Sequence, residues 1–255
     1  EVVISAFKDA ARTLKRSGKP VLLIAESEAI GEWLKCQGFD HDQLMTAPYP
    51  AAARFLNGPP QEDRDKRLRL GALGATRPVH NPGLLAKFLL SADLGDCRWT
   101  VRLNLELAAS QLGMASESLG DALHGRGIEL LPMYLAREAY DQALRSVDVM
   151  LLSYGDRYQL IGSGIFLECL CAGVIPLVPE GSVMRRLYRE LGGTAPALHA
   201  ASVEEIANAV QLVSRQIEPL RSNAQAVREN WLIQPGGPRN WKRRVDAFIK
   251  DVCQQ

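Results

Sequence analysis

Residues 4–17 place Ile4, Phe7, Ala11 and Leu14 on one side of a helical wheel, and this spacing predicts a helix. Gly18 closes it, and Pro20 opens the run Val21-Leu22-Leu23-Ile24-Ala25. That run is apolar without alternation, the pattern of a strand covered on both faces. A second short helix carries Ile30, Trp33 and Leu34 and ends at Gly38, and a short strand over 43–47 follows. From Asn57 to Arg67 the apolar period disappears and Pro, Gly and charge take over, as in an interdomain linker.

Beyond the linker, strand and helix patterns alternate. A strand over 69–74 is followed by Asn81-Pro82-Gly83, where Asn is placed to cap a helix and Pro to occupy its first position. Residues 98–105 alternate strictly, with Trp99, Val101, Leu103 and Leu105 against Arg98, Thr100, Arg102 and Asn104. One polar face predicts a strand near a sheet edge. Helices are expected at 116–124, 136–146, 164–172 and 182–191, with strands at 128–131, 147–152, 174–178 and 195–198. Ser202-Val203-Glu204-Glu205 reads as a capping box that opens a long helix, which Pro219 breaks or kinks near its end. After a turn at 235–238, a final amphipathic helix over 240–252 carries Trp241, Val245, Phe248, Ile249 and Val252.

This rhythm predicts an α/β fold with a Rossmann-like, doubly wound parallel sheet and right-handed crossovers. The expected organisation is the end of an N-terminal α/β domain at 1–57, a linker at 58–68, a main domain at 69–238 and a crossover helix at 239–255. In such sheets ligands bind beyond the carboxyl ends of the strands, so the chemistry is sought in those loops.

Charge and composition narrow the classes. Across 255 residues, 30 Lys+Arg face 29 Asp+Glu, a net charge of +1 that gives no bulk attraction for nucleic acid. Apolar runs are too short to span a membrane, and the first residues lack the basic-then-apolar pattern of a secretory signal. The chain begins at Glu1 without a Met and is expected to be a piece of a longer protein. Its five cysteines are odd in number and scattered, which predicts reduced thiols in the cytoplasm. Cys169 and Cys171 lack a zinc or redox spacing and are expected on different faces of one helix. The dinucleotide fingerprint, Walker A loop, HExxH motif and nucleophile elbow are all missing.

The richest stretch runs from Val147 to Glu168. A buried strand ends in a polar, aromatic loop, and the loop ends in Gly162-Ser163-Gly164, where a helix begins. The first amides of a helix lack intrachain partners and sit at its positive end, a place for an anion such as phosphate. Glu168, one turn into the helix, suits sugar or ribose hydroxyls as an acceptor pair. The same residues also have a reading without a ligand, because small residues commonly precede helices and a Glu near a helix N-terminus is favourable in itself.

The run Asp148, Tyr158, Ser163-Gly164-Ile165-Phe166, Glu168, Gly173, Pro176 and Pro179 resembles the donor-binding signature of GT-B glycosyltransferases, in the cadence of the retaining family-4-like enzymes. The resemblance implies the C-terminal half of a GT-B architecture, with 69–238 as the nucleotide-sugar donor-binding domain and 1–57 on the acceptor side. It implies transfer of a sugar from a nucleoside diphosphate sugar to a hydroxyl of a carbohydrate, lipid or protein, with retention and without a metal or other cofactor. Glu168 would hold the ribose, and Ser163, Gly164 and Ile165 the diphosphate, with Tyr158 part of the same signature. Arg77, after the first strand of the domain, would clamp the diphosphate, and Gly74 would allow close approach. Met133 and Tyr134, after the 128–131 strand, would face the nucleobase. No residue takes a catalytic role by this reading, and His80 is an ordinary loop His or a base.

The pattern departs from the family at three places: no Lys follows Arg77 in the loop to Gly83, and Leu160 and Ile161 stand where polar residues are expected. These departures leave open an altered donor, a shifted register, or a non-catalytic GT-B-like module that binds a nucleotide or a partner. The Arg185-Arg186 and Lys242-Arg243-Arg244 clusters read as solvated helix faces, with peripheral attraction to an anionic membrane as the alternative.

Overall fold

The computed structural model describes residues 2–18, 21–25, 28–47, 55, 67–159, 161–199, 202–234 and 237–253. Two parallel sheets organise them. The smaller pairs β1 (Leu23–Ala25) with β2 (Leu44–Thr46), and α1 (Val2–Arg16) and α2 (Glu28–Cys36) alternate with these strands along the chain. Ile24 is exposed between buried Leu23 and Ala25, so the described residues cover one face of β1 rather than both. Most of the expected linker lies outside the described residues, but Leu68 at its end is buried in the main core.

The larger sheet contains β3 (Arg69–Ala75), β4 (Arg98–Leu103), β5 (Glu129–Leu130), β6 (Val149–Leu151) and β7 (Ile175–Leu177), in the order β5-β4-β3-β6-β7 and all parallel. The chain starts in the middle, steps outward through β4 and β5, returns, and steps the other way through β6 and β7. This is the doubly wound sheet that the sequence predicts. The direction of winding reverses between β3 and β6, so a crevice is expected at their carboxyl ends. β4 lies one strand in from the edge, and its polar Thr100 donates to the Glu129 carboxylate on β5 at 2.8 Å. The expected strand at 195–198 reduces to a single bridge between Leu198 and Pro179.

The remaining helices are α3 (Pro82–Ser91), α4 (Leu105–Leu112), α5 (Ser116–Gly125), α6 (Arg137–Ser146), α7 (Gly164–Ala172), α8 (Val183–Glu190), α9 (Val203–Arg215), α10 (Ile217–Ile233) and α11 (Pro238–Cys253). Ser163, Ser182 and Ser202 cap α7, α8 and α9 by accepting from Phe166, Arg185 and Glu205 amides. Asn81 precedes α3 as predicted, but its backbone is left-handed at φ 47° and its side chain caps nothing. Gln111 of α4 supplies the acceptor instead, taking the Gly83 N–H at 2.7 Å. Helix α4 itself begins where the strand pattern was expected to continue, because Asn104 accepts from the Leu107 amide. Pro219 is the third residue of a new helix, since α9 ends at Arg215. In the first turn its missing N–H costs nothing. Helix α10 then buries Leu220, Ala224, Val227 and Trp231 at helical spacing.

At the amino ends of β3 and β6 lies a buried charge network. The Asp148 carboxylate accepts from the Arg69 amide at 2.9 Å and from Arg221 of α10 at 3.2 Å, and Arg69 Nε is 3.7 Å away. Arg185 is likewise buried and not on a solvated face, because its guanidinium donates to the Ala195 carbonyl at 2.7 Å. Arg186 stays exposed and donates to Gln159 O and Gly181 O, both at 3.1 Å. Cys169 and Cys171 lie two residues apart on α7, hence on different faces as expected, and both are buried because α7 is apolar nearly all round. Burial pushes the Cys169 thiol well above its ordinary value and that of Cys171 up to about 11.

The terminal helix reaches the small sheet. Val245 forms a cluster with Met45 and Ala47, flanked by Trp241 and Phe248, and Arg244 donates to Thr46 O at 3.5 Å. Phe55 is fully buried in the main core, with the Arg145 guanidinium 5.0 Å from its ring centre.

Candidate functional site

The carboxyl ends of β3, β4 and β6 converge on a cleft of about 440 Å³, at the crevice that the winding reversal predicts. Its lining combines Arg77 and His80 after β3, Arg102 on β4, Tyr140 on α6, Tyr154 and Tyr158 after β6, and the start of α7 with Glu168.

The opening turn of α7 explains its place in the wall. Ser163 is extended, and its hydroxyl and carbonyl take the amides of Phe166 and Leu167. That leaves the Gly164 and Ile165 amides at the positive helix end without an i−4 carbonyl. A Cβ on Gly164 would meet open space, so backbone is accessible there. Ser163 therefore acts first as a cap, and its Oγ lies 3.1 Å from the Tyr154 hydroxyl. The spot is open rather than plugged by apolar side chains.

Glu168 projects into the same cleft and accepts a hydrogen bond from Tyr140 at 2.6 Å. Burial, followed by the charge of Glu168, pushes the Tyr140 phenol far above its ordinary value, so the phenol keeps its proton and donates. Beneath it the Arg102 guanidinium lies 5.4 Å from the Tyr140 ring centre.

An aromatic wall closes the other side. Tyr154 and Tyr158 stack with centroids 4.1 Å apart, and His80 lies 4.7 Å from Tyr154. His80 Nε2 and the Tyr158 hydroxyl are 2.8 Å apart. The loop after β6 is tied back by Gly155 N–H to Val79 O at 3.0 Å. Burial and then the positive charge of Arg77 push the His80 pKa below its ordinary value. The unfolded chain thus takes up a proton at about pH 6.5 that the folded chain refuses. The stability from neutral His80 is whole above that pH and is lost as the pH falls below it, towards the lower folded value. His80→Gln is expected to shrink the drop in urea midpoint between about pH 7.5 and pH 5.5. An undiminished drop would assign it to other groups.

Of the residues singled out in the sequence, Arg77, Tyr158, Ser163, Gly164, Ile165 and Glu168 meet in this cleft. Gly74 does not line it. A Cβ there would lie 2.8 Å from the Tyr154 hydroxyl and 3.1 Å from Ile165 Cδ1, so the close approach at Gly74 is made by the protein's own side chains. Met133 and Tyr134 stand in the loop after β5, outside the lining, with Tyr134 96% exposed and unpacked. Ile161 is 46% exposed at the mouth of α7, and Leu160 lies outside the described residues. Sequence reasoning did not single out Tyr140, Tyr154 or Arg102. Among the described residues no group of three His, Cys, Asp or Glu is arranged to hold a metal, and no helix is long and apolar enough to cross a membrane.

No protein-family model and no curated protein matches the chain. Solved structures resemble it. Anabaena HepE in complex with UDP-glucose superposes with a TM-score of 0.69 at 13% identity, over 97% of this chain and 68% of that one. A variant of S. aureus TarM in complex with UDP gives 0.62 at 9% identity, over 89% and 43%. WaaG, a glycosyltransferase involved in lipopolysaccharide biosynthesis, gives 0.62 at 13% identity, over 88% and 61%. The fold is that of GT-B glycosyltransferases. The chain spans less than half the length of TarM and about two thirds of HepE.

Proposed function

We propose that this chain is the donor-binding part of a glycosyltransferase that moves a sugar from a nucleoside diphosphate sugar to a hydroxyl group. One observation carries the reading: the open amides of α7, the Arg77 cation and the Glu168 carboxylate line a single cleft at the switch point of the sheet. Amides and cation suit a diphosphate, and a carboxylate beside them suits the ribose hydroxyls. Similar folds in complex with UDP and with UDP-glucose support the same ligand class.

In this reading the helix amides and Arg77 stabilise the charge that develops on the departing diphosphate, without a divalent metal. The transfer proceeds with retention of configuration. The acceptor, a carbohydrate, lipid or protein hydroxyl, meets the donor mainly across surfaces outside 69–238. The exposed turn of Met133 and Tyr134 offers backbone groups to the nucleobase. The site works in the cytoplasm, where such donors are made.

Ile161, apolar and exposed two residues before the Ser163 cap where the family pattern has a polar residue, favours a second reading in which the cleft binds a nucleotide without turnover. Calorimetry with UDP, GDP and their glucose conjugates separates the two. Micromolar binding, unchanged by EDTA and accompanied by slow donor hydrolysis, is expected for the enzyme. Binding without hydrolysis selects the module, and no binding by any nucleotide overturns both.

A further inference from the structure

Arg102 enters the cleft from β4, a different strand from the one that delivers Arg77. Its Nε–H donates to the Leu73 carbonyl of β3 at 2.9 Å, which fixes the base of the guanidinium to the central strand. The face of the group rests near the Tyr140 ring at 5.4 Å. Among the described residues the terminal amino groups form no hydrogen bond and no ion pair. The residue is half-buried, so its charge is not that of a freely solvated surface arginine. The neighbouring acid, Glu168, is held by Tyr140 instead.

We propose that Arg102 is a second diphosphate-binding residue of this cleft, acting with Arg77 and the α7 amides. The inference rests on the donor-binding reading but assigns a residue that reading does not use. An arginine already anchored through Nε loses little further freedom when its two amino groups take phosphate oxygens. Because Arg102 is half-buried, its charge is screened less than on an open surface. Two cations and a helix end against one carboxylate make the cleft select for an anion. Arg102 therefore discriminates nucleoside diphosphates from nucleosides, which lack the phosphates.

The test is a calorimetric series of uridine, UMP, UDP and inorganic pyrophosphate on the wild type, Arg102→Gln and Arg102→Lys, each checked by thermal melting. In Arg102→Gln, UDP and pyrophosphate affinity should fall about tenfold to a hundredfold while uridine is unaffected. Arg102→Lys, which keeps the charge and loses the fork, should fall in between. Equal UDP affinity in wild type and Arg102→Gln overturns the assignment, as does an equal loss for uridine and UDP, which marks a merely structural role. If the wild type binds pyrophosphate through Arg102 but no nucleotide, the assignment stands and the donor reading falls. If it binds neither, both fall.

Discussion

Glu168→Ala is expected to weaken binding of a nucleoside diphosphate about tenfold to a hundredfold while shifting the melting temperature by about 3 °C or less. The first figure follows from losing hydrogen bonds between a charged acceptor and ribose hydroxyls, about 1.5–3 kcal/mol. The second follows from position. Glu168 is half-buried at a cleft wall, and the Tyr140 phenol that donates to it can turn to water in the open cleft. A 2′,3′-dideoxy nucleotide supplies the control. Without ribose hydroxyls it should bind the wild type and Glu168→Ala with similar affinity. If the variant binds the ordinary nucleotide as tightly as the wild type, Glu168 has no ribose to hold.

A larger effect on stability is expected at the opposite end of the sheet. Asp148 is almost fully buried, and its carboxylate joins β6 to β3 and to α10 through the Arg69 amide and the Arg221 guanidinium. Removing one partner of such a network leaves buried positive charge and an orphaned amide, a cost of about 3–5 kcal/mol. Asp148→Ala should lower the melting temperature by roughly 10 °C. Asp148→Asn, which keeps an acceptor for the Arg69 amide, should lose less. Because the network lies at the amino ends, nucleotide affinity measured well below the melting temperature should stay within about twofold of the wild type. A loss below about 1 kcal/mol in urea denaturation of Asp148→Ala would mean the carboxylate is dispensable there.

The sheet was legible because its strands are written as apolar runs between Gly, Pro and capping residues, as at Val147 to Leu152 before the Ser163 cap. Boundaries failed where a later residue decides. Asn104 converts the expected end of β4 into the start of α4, and the gap after Arg215 turns one long helix into two, with Pro219 harmless in the first turn of the second. Half of the cleft was legible for the same reason, since the α7 amides and Glu168 follow from local helix geometry. Arg102 and Tyr140 were not. One sits on the polar side of an alternating strand and the other on an amphipathic helix, and both patterns read as solvated until β4 and α6 are brought against Glu168. Arg185 shows the converse, a cation in a charged cluster that is buried because the Ala195 carbonyl folds back onto it.

The seat of α11 on the small sheet bears on the order in which the molecule forms. Thr46 and Arg244 are 198 positions apart, so Met45 and Ala47 are synthesised long before the Val245 that covers them. A two-strand sheet is marginal by itself, and closing so long a loop is slow compared with forming the local β–α units of the main sheet. The β1–β2 unit should therefore be the last part to become protected from hydrogen exchange during refolding, arriving together with the terminal helix.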